Sequence, residues 1–146
     1  MDRLTRDAIA IGLATGAYAV SYGVLGVAAG LSVAQTCAMS LLVFTGASQF
    51  AVVSVVGAGG SMAAALAPAI GLAARNGVYG LSMVPFLPRS RWRRAAEAQL
   101  VIDESTAMAR AQDTPERAHR AFLATGLSIF VCWNAVSYTH LRAHET

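Results

Sequence analysis

Between Asp7 and Arg75 the chain holds no Asp, Glu, Lys or Arg. Residues 8–74 are dominated by Ala, Val, Leu, Ile and Gly, relieved only by scattered hydroxyl, amide and aromatic side chains. A water-facing domain needs a charged or strongly polar outer surface, and this stretch cannot supply one. A lipid-facing chain needs the opposite. One helical crossing of a bilayer takes about 20 apolar residues, so the gap holds material for about three membrane segments. The pattern predicts an all-α fold, a polytopic α-helical membrane bundle.

The first segment runs from about Ala8 to Gly30. It contains Gly12-x-x-x-Gly16 and Gly26-x-x-x-Gly30, spacings that let two helix backbones pack closely in lipid. Tyr18 and Tyr22 lie four apart on one helix face, which packs on a neighbouring helix or lines a cavity. The second segment runs from about Val33 to Gly57, and its centre reads Phe44-Thr45-Gly46-Ala47-Ser48-Gln49-Phe50. Two structures fit that centre. One is a continuous helix whose Gln49 bonds to a neighbour. The other is a broken or re-entrant helix at Gly46–Gln49, whose unwound backbone survives only against protein or a watery cavity. The third segment, about Ser61 to Leu87, is interrupted by Pro68, Gly71, Gly77, Gly80 and Pro85 and carries Arg75 near its middle. An ionisable residue at such depth must face protein or water, as a functional group or as half of a structural ion pair.

Polarity returns in a basic run, Arg89, Arg91, Arg93 and Arg94 around Trp92, which is a cytoplasmic signal with an interfacial aromatic. Residues 95–112 mix Glu97, Asp103, Glu104 and Arg110 with Leu100, Val101, Ile102 and Met108. They predict a helix lying at the interface or buried inside the bundle. Thr114-Pro115-Glu116 predicts a helix start: cap, proline at the first helical position, acid in the first turn. That helix is apolar from Ala121 through Val136. Arg3 and Arg6 place the N-terminus in the cytoplasm, where Arg89 to Arg94 also belong. Three plain crossings between the two groups would separate them. A re-entrant hairpin at Gly46–Gln49 leaves two crossings and removes the conflict; the other escape is that the positive-inside bias, a statistical rule, fails here.

Composition agrees with this picture: 55% of the 146 residues are hydrophobic and 13% charged, against about a quarter charged in a typical soluble domain. The net charge of +3 comes from arginines that flank the apolar segments, Arg75 excepted, so it orients helices and does not imply nucleic-acid binding. Cys37 and Cys132 sit in apolar runs and read as small buried hydrophobes. Residues 1–30 have the basic start of a signal peptide, but the apolar stretch is span-length, so it reads as a retained first span. No Ser-His-Asp set, phosphate loop or paired-cysteine site is visible, which argues against an enzyme and against a bound cofactor or metal. The final Val136 to Thr146, VSYTHLRAHET, resembles a peptide found where sequencing adapter is translated at the ends of metagenomic gene predictions. The expectation is a truncated product: residues 1–135 are the N-terminal part of one transmembrane domain, and residues 136–146 are a non-native tail. His140-x-x-x-His144 then carries no metal-site meaning.

Four motifs, taken together, resemble the AzlC family, the large subunit of bacterial branched-chain amino-acid exporters. They are Gly46-Ala47-Ser48-Gln49-Phe50, then Arg75-Asn76-Gly77-Val78-Tyr79-Gly80, the pair Asp103-Glu104, and Trp133. Ala19-Val20-Ser21-Tyr22-Gly23 also fits the family's first segment. The resemblance covers residues 8 to about 135, and family members continue into further membrane segments. It implies a multi-pass permease of the bacterial inner membrane that exports valine, leucine or isoleucine. It also implies a small AzlD-type membrane partner and drive by an ion gradient.

An amino acid presents a carboxylate, an ammonium and an apolar tail. Half-helix N-termini at a broken helix suit the carboxylate, with Ser48 and Gln49 adding hydrogen bonds. Arg75 pairs either with that carboxylate or, as a gate, with Asp103 or Glu104. Tyr79 bonds substrate or anchors its own segment. Asp103 and Glu104 are the proton-coupling candidates, because a carboxylate withdrawn from water binds protons more readily; the alternative is that they form a solvated helix face. The alternative readings are a non-transporting assembly protein whose glycine-rich helices dock a partner, an exporter of another small apolar amino acid, and an intramembrane enzyme built on Asp103 and Glu104.

Overall fold

A computed structural model describes residues 1–143, with side chains through Thr139, and is helical throughout. His144 and the side chain of His140 lie outside the described residues. The elements are α1 (Arg3–Ala28), α2 (Val33–Leu42), α3 (Ala47–Gly57), α4 (Met62–Met83), a tight turn at Val84–Phe86, α5 (Arg91–Ala98), α6 (Asp103–Arg110) and α7 (Pro115–Ala143). Among the described residues two helices are long and apolar enough to cross a membrane, Arg3–Ala28 and Pro115–Thr139. The third expected segment is helical but is not among them: Arg75 and Asn76 interrupt its apolar character. Pro68 does not break it, and α4 is continuous on both sides of the ring.

Local chemistry sets the ends. The Asp2 carboxylate accepts from the Thr5 amide at 3.0 Å, and Ser32 with Gln35 forms a reciprocal capping box at the start of α2. The Thr114 hydroxyl accepts from the Arg117 amide at 3.3 Å, so α7 starts at the expected residue. Gly30 stops α1 at φ 81°, and the Leu31 amide bonds back to the Gly26 carbonyl at 3.0 Å. That glycine is therefore a helix terminator and not a packing residue, which corrects the second small-residue motif.

α1 and α7 form the main packing and run parallel. Arg120 near the start of α7 meets Asp2 at 2.7 Å. Further along, a methyl group on Gly12 would lie 2.9 Å from the Ser128 backbone, and one on Gly16 would lie 3.1 Å from Cys132 Cβ. The two glycines thus let α7 close onto α1. Tyr22 is fully buried and its hydroxyl donates to the Thr36 carbonyl at 2.9 Å. Tyr18, one turn earlier, points outward and is 65% exposed.

Between α1 and α7 the chain doubles back twice. α2 starts beside the C-terminal end of α1, and α3 returns there: a methyl group on Gly57 would sit 3.5 Å from Ala29 Cβ. The second segment is therefore two short helices of 10 and 11 residues around a break at Val43–Gly46. From there α4 runs back along α3, with Val52, Ala65 and Ala69 packed together. The second reversal starts from the opposite end. Glu97 of α5 bonds His119, in the first turns of α7, at 2.8 Å. The chain then climbs α7 until Leu100 packs on Gly126, and α6 descends with Ala109 packed among Ala118 and Phe122. Residues 95–112, expected as one helix, are thus a hairpin whose tip is buried while Ala95, Ala96, Ala98 and Gln99 stay exposed. Leu100, Val101 and Ile102 form its tip because burying them outweighs continuing the helix. Arg3 and Arg6 lie at the same end of the bundle as Arg89 to Arg94.

The core joins Tyr22, Phe44, Met83, Phe122, Ile129 and Trp133. The outside is apolar as well, with Leu13, Leu42, Ile70, Leu81 and Val131 all more than half exposed.

Candidate functional site

The two hairpin tips meet. Gln99, at the second tip, donates from Nε2 to the Leu41 carbonyl at the end of α2, at 3.0 Å. Next to this contact lies a cavity of about 180 Å³. One wall is the first break, Phe44 to Ala47, and the opposite wall is the second tip, Ile102 to Glu104. α1 contributes Thr15, α4 contributes Arg75 and Asn76, and α7 contributes Ile129 and Trp133.

The first break is a backbone device. Gly46 has φ 53° and ψ −71°, and the Ala47 amide turns back to the Thr45 carbonyl. This is a three-residue γ-turn of the positive-φ kind, which only glycine adopts at little cost. It leaves α3 starting at the cavity with no side-chain cap, so the positive end of its dipole faces the cavity. α6 also starts there, but Asp103 and Glu104 in its first turn already balance its dipole.

Arg75 reaches across the cavity to Asp103, Nη2 to Oδ2 at 3.0 Å. Both side chains remain about 40% exposed, at 42% and 44%, so the pair is partly screened by whatever fills the space around it. The Tyr79 ring lies below the guanidinium, 5.9 Å from ring centre to Cζ. Three residues that line the cavity each carry a buried polar atom with no partner among the described residues: Asp103 Oδ1, Thr45 Oγ1 and Trp133 Nε1. Buried polar atoms are rarely left so, and three among the residues around one small cavity suit a polar guest.

The sequence candidates separate at this point. Arg75, Asp103 and Glu104 share the cavity. Tyr79 lines the adjoining groove with Asp103 and Thr106 and touches the site only through Arg75. Ser48 and Gln49 do not line the cavity. Ser48 is buried and donates to the Ala69 carbonyl at 2.9 Å, joining α3 to α4. Gln49 is fully buried and donates from Nε2 to the Met39 carbonyl at 3.1 Å, clamping the two halves of the broken segment. Its Oε1 is left without a partner. Reading the residues alone overlooked Thr45 and Thr15, since a hydroxyl in an apolar run carries no signal that it faces a cavity. Among the described residues no three His, Cys, Asp or Glu side chains gather as a metal would require.

The model of one protein family, described as AzlC protein, matches residues 10–140. No curated protein and no solved structure matches the chain.

Proposed function

The chain belongs to the AzlC family, and from that premise we propose that it is a secondary-transporter subunit that moves valine, leucine or isoleucine out across the bacterial inner membrane. Membership is consistent with a transport-related function and with a membrane protein, as are the long apolar helices. The substrate, the direction, the ion-gradient drive and a small AzlD-type partner are the proposed parts.

One observation carries the reading: two hairpins from opposite ends of the bundle meet tip to tip at a small charged cavity. Broken helices converging in this way let a site form at mid-depth with access from either side. A cavity of about 180 Å³ is close to the roughly 150 Å³ apolar void that accepts benzene, which is the scale of a single small amino acid. The carboxylate is taken by Arg75 and the uncapped start of α3. The ammonium is taken by Asp103 Oδ1 and Glu104. Phe44, Ile102 and Ile129 offer the apolar wall that a branched tail needs.

The Arg75–Asp103 pair explains why the empty site is tolerable. A lone arginine withdrawn from water is costly, and a carboxylate partner offsets that cost. A zwitterion then substitutes for each member of the pair, so charge balances in both states. A proton on Asp103 or Glu104 would couple the cycle to a gradient. Proteoliposomes loaded with labelled valine test this directly. Arg75→Ala and Asp103→Asn each abolish valine efflux and counterflow while the protein still inserts. Normal flux from both variants removes the site assignment. No flux of valine, leucine or methionine from the parent chain with its partner leaves the assembly-protein alternative.

A further inference from the structure

We propose that Trp133 is a substrate-orienting residue, its indole N–H donating to the carboxylate of the bound amino acid with the Thr45 hydroxyl beside it. The inference rests on the amino-acid reading of the cavity and extends it to a residue with no role in the charge exchange described above.

Trp133 is 6% exposed and lines the cavity, yet its Nε1 has no acceptor among the described residues. An indole nitrogen only donates, so it needs an oxygen that this part of the chain does not supply. Thr45, which lines the same cavity, has an Oγ1 that is also buried and without a partner among the described residues. The indole is held firmly in place. Tyr22 stacks on it at 6.0 Å between ring centres, and Phe50 meets it edge-on at 6.3 Å. Tyr22 is itself fixed through its hydroxyl to the Thr36 carbonyl. The far edge of the indole ring comes within 3.9 Å of a methyl position on Gly46, which places the ring against the break where α3 starts. The cavity lining thus offers donors in Arg75, in the uncapped start of α3 and in Trp133. Asp103 and Glu104 offer acceptors in the same lining. An α-amino acid, with its acceptor and donor ends on one carbon, needs both kinds of group within reach.

The test uses the chain in detergent micelles. Trp92 is the other tryptophan, and its side chain is 82% exposed, so Trp92→Phe leaves Trp133 as the sole reporter. Valine is expected to change the Trp133 emission saturably, and emission unchanged at saturating valine overturns the proposal. Calorimetry of Trp133→Phe, in a preparation that keeps its helical circular dichroism, is expected to show valine affinity falling about tenfold or more, the size of one lost bond to a charged acceptor. Trp133→His, which restores a ring N–H, recovers part of the loss. Equal losses in both variants mean that the ring only packs, and the proposal falls. Unchanged valine affinity in Trp133→Phe overturns it while leaving the amino-acid reading intact. No valine binding to the parent chain overturns both.

Discussion

At the scale of single residues, burial and pairing separate chemistry from scaffolding. Gln49 and Arg75 look equally conspicuous as polar groups in apolar runs, but only Arg75 reaches the cavity. Gln49 bridges α3 to the last turn of α2. Gln49→Ala is therefore expected to lower stability by about 1–3 kcal/mol, the range for disrupting a buried hydrogen bond. It should leave the KM for valine, the proposed substrate, unchanged in the protein that still folds. Chemical denaturation beside transport kinetics checks this, and a raised KM at full stability would return Gln49 to the site. Asp2 gives a pH prediction. Hydrogen bonds from Thr5, aided by Arg120, hold its carboxyl at about 2, below the ordinary value of 3.8. A depressed carboxyl supports the fold above its ordinary value and loses that support as pH falls through the depressed one. The Asp2 cap and its contact with Arg120 should thus be fully present at pH 5 and be lost only as pH approaches 2. Titration of the Asp2 carboxyl resonance reads this out.

At the scale of elements, glycines with similar sequence surroundings do different work. Gly12 sits where α1 meets α7, and a Cβ there would press on the Ser128 backbone. Gly71 of α4 has open space around it. Gly12→Ala is expected to destabilise by about 1–3 kcal/mol, as overpacking does. Gly71→Ala should be neutral or stabilising by up to about 1 kcal/mol, from helix propensity alone. Thermal unfolding of the two variants side by side tests the contrast. Gly46→Ala should cost about 1–2 kcal/mol through its positive φ, with little steric part, since the nearest neighbour is 3.9 Å away. Much of this level was legible in the sequence. The cap at Thr114, the neutral gap, and the polar centre around Gly46 each bear a local signature. The hairpin at residues 91–110 did not, because its charges and apolar residues alternate in a way that one surface helix would also satisfy. Only the tertiary placement of Leu100, Val101 and Ile102 against α7 distinguishes the two. Trp133 as a cavity residue was hidden for the same reason: a buried indole and a site indole share the same sequence context.

At the scale of the whole molecule, the double reversal reconciles the two arginine groups. With α2 and α3 doubling back, only α1 and α4 separate Arg3 from Arg89, so both basic groups are expected on one side of the bilayer. Single cysteines placed at Thr5 and Ser90, in a background lacking Cys37 and Cys132, should react with a membrane-impermeant thiol reagent from the same face. Labelling from opposite faces would mean that α2 and α3 cross the bilayer. The meeting point of the tips has an electrical consequence. Thr15 stands at the middle of α1, and α2 extends about 15 Å from its end at 1.5 Å per residue, half of a hydrocarbon layer about 30 Å thick. Under the proposed ion-driven transport, an ion released from that point to either compartment would traverse about half of the voltage drop, or about 1.2 kcal/mol per 100 mV for a unit charge. A carrier built in this way divides the work of a polarised membrane evenly between loading and unloading, so neither half-cycle bears the whole electrical load.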